Sequence, residues 1–158
     1  MKKFSKKGIK RIVALCGAMV IGGVGLAPNV MAEGDTTNTK WTYTVYRSDK
    51  GCIANKGRKK YNSTSVYMSC TGVESTNGGT INGASYMGTA YGSSSESGPF
   101  SNISCNGKNS PTYTIVKGKK QYLINYIREA GKTYANIYCQ PLGGSYLKFS
   151  GYWSPDSK

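Results

Sequence analysis

From Val66 to Cys70, side chains of opposite character alternate without a break: Val66, Met68 and Cys70 on one phase, Tyr67 and Ser69 on the other. A period of two sends neighbours to opposite faces, so this run predicts a half-buried β-strand. Weaker versions recur at Trp41–Arg47, Pro111–Val116, Thr133–Cys139 and Tyr146–Trp153. Gln121–Ile127 is apolar on both phases, as expected of a central strand. Turn residues punctuate these runs. Asn106-Gly107 is a strong turn signal, and Glu129-Ala130-Gly131-Lys132 fits a hairpin loop with Gly131 at a positive φ. No stretch carries a helical period. The expected fold is all-β, a small antiparallel β-sandwich or barrel of about seven to eight strands.

Residues 1–32 read as a signal peptide outside the folded unit. Lys2, Lys3, Lys6, Lys7, Lys10 and Arg11 precede an uncharged apolar run from Ile12 to Ala27, and Val30-Met31-Ala32 supplies a cleavage site. That run is shorter than the ~20 residues a membrane span needs. The expected organisation is therefore a signal peptide at 1–32, a disordered N-terminus at 33–40 and one β domain at 41–158. The mature chain is expected to carry no integral membrane segment and to be secreted. Removing the six leader cations from the 21 in the chain leaves 15 against 7 carboxylates, a net charge of +8. Such an excess favours anionic partners.

Export also frames the cysteines. Cys52, Cys70, Cys105 and Cys139 remain after the leader, and an even count in a small exported chain reads as two disulfides with three connectivities open. Their wide spacing and the lack of histidine argue against a zinc site, and no metal or other cofactor is expected.

Histidine is absent altogether, which removes Ser-His, Cys-His and His-metal chemistry. Seven carboxylates remain: Glu33, Asp35, Asp49, Glu74, Glu96, Glu129 and Asp156. None lies on the apolar phase of a strand, where burial would raise its pKa for acid–base work, so no catalytic residue is expected. Thirteen tyrosines are the other conspicuous feature. Tyr67, Tyr134 and Tyr138 lie on the phase opposite the inward cysteines. With Arg58, Lys59 and Lys60 just ahead of the Val66–Cys70 run, they compose an expected basic aromatic binding surface.

Three blocks resemble a family of small secreted proteins from clostridia and related Gram-positive bacteria. They are Arg58-Lys59-Lys60-x-Asn62-x-Thr64-Ser65-Val66-Tyr67-Met68, then Asn125-Tyr126-Ile127-x-Glu129-x-Gly131-x-x-Tyr134-Ala135, and the closing Ser150-Gly151-x-Trp153-Ser154-Pro155-Asp156-Ser157. The resemblance implies export and origin but brings no activity with it. A looser likeness links the chain to the lactococcin 972-type bacteriocins. Together these features lead to an expected non-enzymatic secreted binding protein that contacts anionic or glycan components of a cell surface. The alternative is a secreted antimicrobial or toxin-like protein. Nucleic acid is not an expected partner, since no recognised binding motif occurs.

Overall fold

The computed structural model describes residues 33–46, 51–53, 56–78, 80–142 and 146–158. The expected signal peptide and Arg47 lie outside the described residues. Along the rest run eleven strands: β1 (Thr39–Val45), β2 (Cys52–Ile53), β3 (Arg58–Lys59), β4 (Val66–Ser75), β5 (Ser85–Ser93), β6 (Ser104–Cys105), β7 (Lys108–Asn109), β8 (Thr112–Val116), β9 (Lys120–Leu123), β10 (Tyr134–Pro141) and β11 (Leu147–Ser154). The count exceeds expectation because β2, β3, β6 and β7 have two residues each, too few to carry a periodic signal. Among the described residues there is no helix, and so none long and apolar enough to cross a membrane.

One sheet has the order β1-β11-β4-β9, and a second the order β2-β10-β5-β8 with β3 also on β10; every pairing is antiparallel. Neither sheet closes on itself, which removes the barrel. Alternation decides what lies between them. Trp41, Tyr43, Val66, Met68, Phe149 and Trp153 from the first sheet share one buried cluster with Tyr86, Ala90, Ile137 and Cys139 from the second. Tyr86 forms the seam, its ring 5.4 Å from Trp41, 5.9 Å from Tyr43 and 4.8 Å from Phe149. Such aromatic pairs contribute roughly 1 kcal/mol each beyond the area they bury.

β4 and β11 keep their faces by a bulge. β11 holds its period through Leu147, Phe149, Gly151 and Trp153, while β4 passes from Cys70 to Val73. Ser150 stands opposite Gly72 and Gly151 opposite Cys70, so Thr71 is the extra residue. Absorbing it lets both halves of β4 point inward. Gly151 is required there because any Cβ would collide with the Ser69 carbonyl oxygen, to which the Trp41 Nε1–H also donates at 3.2 Å.

β9 departs from the sequence pattern. It ends at Leu123 and forms an edge of its sheet, not a central strand reaching Ile127. Asn125 stops it: its Nδ2 donates to the carbonyls of Thr64 and Leu123 at 3.2 Å each, and its Oδ1 accepts from the Ile127 N–H at 3.4 Å. Ile127 still reaches the core, whereas Ile124 is exposed. The turn that follows has Gly131 at φ 71°, as expected, but it carries the chain from the first sheet to the second, so β9 and β10 are not a hairpin. Asn106 (φ 51°) and Gly107 (φ 72°) make the expected tight turn between β6 and β7. No disulfide joins Cys52, Cys70, Cys105 and Cys139 in this structure, so the expected pair of bridges is not seen.

Candidate functional site

The three adjacent cations take three different positions. Arg58 and Lys59 form β3, opposite Ala135 and Tyr134 of β10. Extended backbone sends successive side chains to opposite sides. Lys59 goes outward, its ammonium 5.3 Å from the centre of the Tyr61 ring. Arg58 and Lys60 go inward. Lys60 is 0 % exposed, and its Nζ donates to the carbonyls of Thr64 (2.6 Å) and Pro155 (2.7 Å) and to Asp156 Oδ1 (3.0 Å).

Asp156 is equally buried and equally satisfied. Besides Lys60, its carboxylate accepts from the backbone N–H groups of Asp35 (2.9 Å), Tyr61 (3.1 Å) and Asn62 (3.4 Å). A buried ion costs several kcal/mol in lost hydration unless its hydrogen-bonding sites are filled. Here an ammonium meets three oxygens and a carboxylate meets four donors, which offsets that cost. Burial pushes the Lys60 pKa below its ordinary value, and the charge and hydrogen bond of Asp156 oppose that shift.

Arg58 extends this lock to β11 and to the segment that leads into β1. Its guanidinium donates to the Thr37 carbonyl (2.6 Å), Thr39 Oγ1 (2.7 Å) and Asp35 Oδ2 (2.5 Å), and lies 5.6 Å from the centre of the Trp153 ring. Burial resists ionisation of Asp35, but the bonds from Arg58 and from the Thr37 amide outweigh it and hold the carboxyl below its ordinary range. Ser154 Oγ donates to the Asp156 carbonyl at 2.7 Å, and the Ser157 N–H donates to Thr64 Oγ1 at 3.0 Å. The Trp-Ser-Pro-Asp-Ser ending is therefore a plug, held on one side by Arg58 to Thr64 and on the other by Asp35.

The expected basic aromatic surface is assembled only in part: Lys59 stands opposite Tyr134 across the β3–β10 pair. Lys60 is enclosed and Arg58 is turned inward, which leaves Lys59 as the exposed member of the three. Tyr67 lies on the outer phase of β4 in the first sheet. Tyr134 and Tyr138 lie on the outer phase of β10 in the second, where Tyr138 stacks on Tyr91 at 4.5 Å. Asp156, which lies beyond the last strand, is buried as well. Lys60 goes inside because a carboxylate is waiting there, and the two partners are remote in sequence.

What the fold does assemble is the outer face of the first sheet. Directly opposed residues on neighbouring strands share a face. One row reads Lys40, Tyr152, Ser69, Lys120 across β1, β11, β4 and β9. The next reads Ser154, Tyr67, Tyr122 across β11, β4 and β9. Tyr67 and Tyr122 pair with ring centres 5.8 Å apart, and Tyr122 is 53 % exposed. A cleft of about 320 Å³ opens here, where Tyr67, Tyr122 and Lys120 meet Thr36 and Asn38 of the N-terminal segment and Ser157 and Lys158 of the plug. A smaller opening of about 220 Å³ lies along β11 beside Tyr152, Ser150 and Lys40. Of these residues, sequence reasoning singled out Tyr67 alone for binding. Lys120, Tyr122 and Tyr152 could have been found only by knowing which strands are neighbours.

No curated protein and no solved structure matches the chain. One family profile does match, over residues 28–157, covering both the lock and the outer face of the first sheet, and its description is a protein of unknown function. The chain therefore belongs to the DUF2712 family.

Proposed function

We propose that the protein is secreted and acts by binding, with the outer face of its first sheet as the contact surface and an anionic or glycan polymer of a cell surface as the ligand. The observation that carries this reading is the row Lys40, Tyr152, Ser69, Lys120. Three strand spacings separate its terminal cations, about 14 Å at 4.8 Å per spacing. A linear polymer with regularly placed acidic groups can meet both. Between them, tyrosine rings offer flat apolar faces to sugars, and the hydroxyl of Thr36 and the amide of Asn38, at the border of the cleft, offer hydrogen bonds. The net positive charge of the mature chain raises the local concentration of a polyanion around it.

Retention on purified Gram-positive cell walls tests this. The protein should be held by intact walls, released as salt shortens the Debye length below about 8 Å, and held weakly by walls whose anionic polymer has been extracted. Retention that ignores both salt and extraction would reject the polyanion. Growth inhibition of neighbouring cells without wall retention would favour the antimicrobial alternative.

A further inference from the structure

We infer that Cys52 and Cys139 form a disulfide across the β2–β10 pair, and that this single bond, not a two-bridge framework, is the covalent staple of the fold. The antiparallel register sets Cys139 directly opposite Cys52. Opposed residues in such a pair share a face, with Cα atoms about 4.5–5.5 Å apart, inside the 4.4–6.8 Å that a disulfide requires. Cys70 also faces the core, but from the other sheet. Cys70 holds no position opposite Cys139, whose cross-strand neighbours are Cys52 and Gly88. Its thiol is instead directed at the Gly72 carbonyl, 3.5 Å away. Cys105 belongs to the separate β6–β7 hairpin.

The two thiols have complementary access. Cys52 is exposed, while Cys139 is fully enclosed and burial keeps its thiol protonated. Oxidation therefore starts at Cys52. Its thiolate attacks a sulfur of an external disulfide oxidant, giving a mixed disulfide and releasing one oxidant thiol. The Cys139 sulfur then loses its proton, attacks the Cys52 sulfur and displaces the second oxidant thiol. Overall, two cysteine thiols are oxidised to one disulfide and the oxidant disulfide is reduced to two thiols. The bond fixes one end of the segment 52–60, whose other end is fixed by the β3–β10 pairing and by Lys60.

Peptide mapping tests the assignment on the wild-type protein. After incubation with oxidised glutathione, the purified protein is alkylated in denaturant and digested with trypsin without reduction. The expected product joins peptide 51–56, which carries Cys52, to peptide 133–148, which carries Cys139. Reduction should then lower the thermal midpoint of the wild type by about 10 °C and leave that of Cys52→Ser unmoved. Recovery of Cys52 and Cys139 as separate alkylated peptides, or of Cys139 joined to Cys70 or Cys105, would overturn the inference.

Discussion

Lys60 and Asp156 stand 96 positions apart in the chain and 3.0 Å apart in the fold, with neither side chain exposed. One residue leads into β4 and the other follows β11. Their contact fastens the plug against β3 and, through the Asp35 N–H, gathers in the N-terminal segment. The cleft on the outer face of the first sheet borders this lock, since Ser154, Asp156 and Ser157 line it.

Removing one partner leaves the other as a buried, uncompensated charge. Lys60→Met and Asp156→Leu should each lower stability by about 3–5 kcal/mol, a large share of the 5–15 kcal/mol typical of a whole domain. The double change should cost far less than the sum, because it removes both charges together. Urea unfolding of the four proteins measures this directly. Additive losses would mean that the two charges do not depend on each other.

Lys59 is the internal control. It neighbours Lys60 in sequence but points outward, so Lys59→Ser should change stability by no more than about 0.5 kcal/mol. Matching losses for Lys59→Ser and Lys60→Ser would contradict the assignment of faces.

The division between those two residues shows what the sequence could and could not say. Val66, Met68 and Cys70 declared their face because apolar alternation is itself the burial signal, and the Asn106-Gly107 turn announced its own positive φ values. Arg58-Lys59-Lys60 obeys the same period of two, but three cations hide it: nothing local separates a paired charge from a solvated one. The partner, Asp156, follows a proline beyond the last strand, where no periodicity applies. β9 failed for a related reason. Its apolar run continues past Leu123, and only the long-range bond from Asn125 to the Thr64 carbonyl ends the strand. Rows of side chains across strands depend on strand order, which no single run of residues encodes.

Acid should loosen the N-terminal segment first. The pKa of Asp35 in the fold lies below its ordinary value of 3.8, so between the two values the unfolded chain binds more protons and stability rises with pH. The contribution is complete above the ordinary value and is lost as pH falls through the folded value. Asp35→Asn should flatten this part of the pH–stability curve, and amide exchange at residues 35–38 should accelerate in acid before exchange in β4 or β11. An unchanged curve in the variant would dismiss the Asp35–Arg58 pair as a contributor.

Gly151→Ala tests the bulge. The added methyl meets the Ser69 backbone, which cannot rotate aside as a side chain can, so a loss of about 1–3 kcal/mol or more is expected. A thermal midpoint within a degree of wild type would show that the β4–β11 pair has slack at this point.

The most direct test of the account compares wall binding by three proteins at low salt: wild type, Lys120→Ser/Tyr122→Ser, and Lys59→Ser. Lys59→Ser should keep the wild-type unfolding midpoint, and the Lys120/Tyr122 variant should stay folded in the assay while losing about 1 kcal/mol with the Tyr67–Tyr122 ring pair. The prediction is that the Lys120/Tyr122 variant loses affinity by about tenfold, equivalent to about 1.4 kcal/mol, while Lys59→Ser binds as wild type does. Full affinity in the Lys120/Tyr122 variant, with binding lost in Lys59→Ser, would move the contact surface to the second sheet and contradict the account.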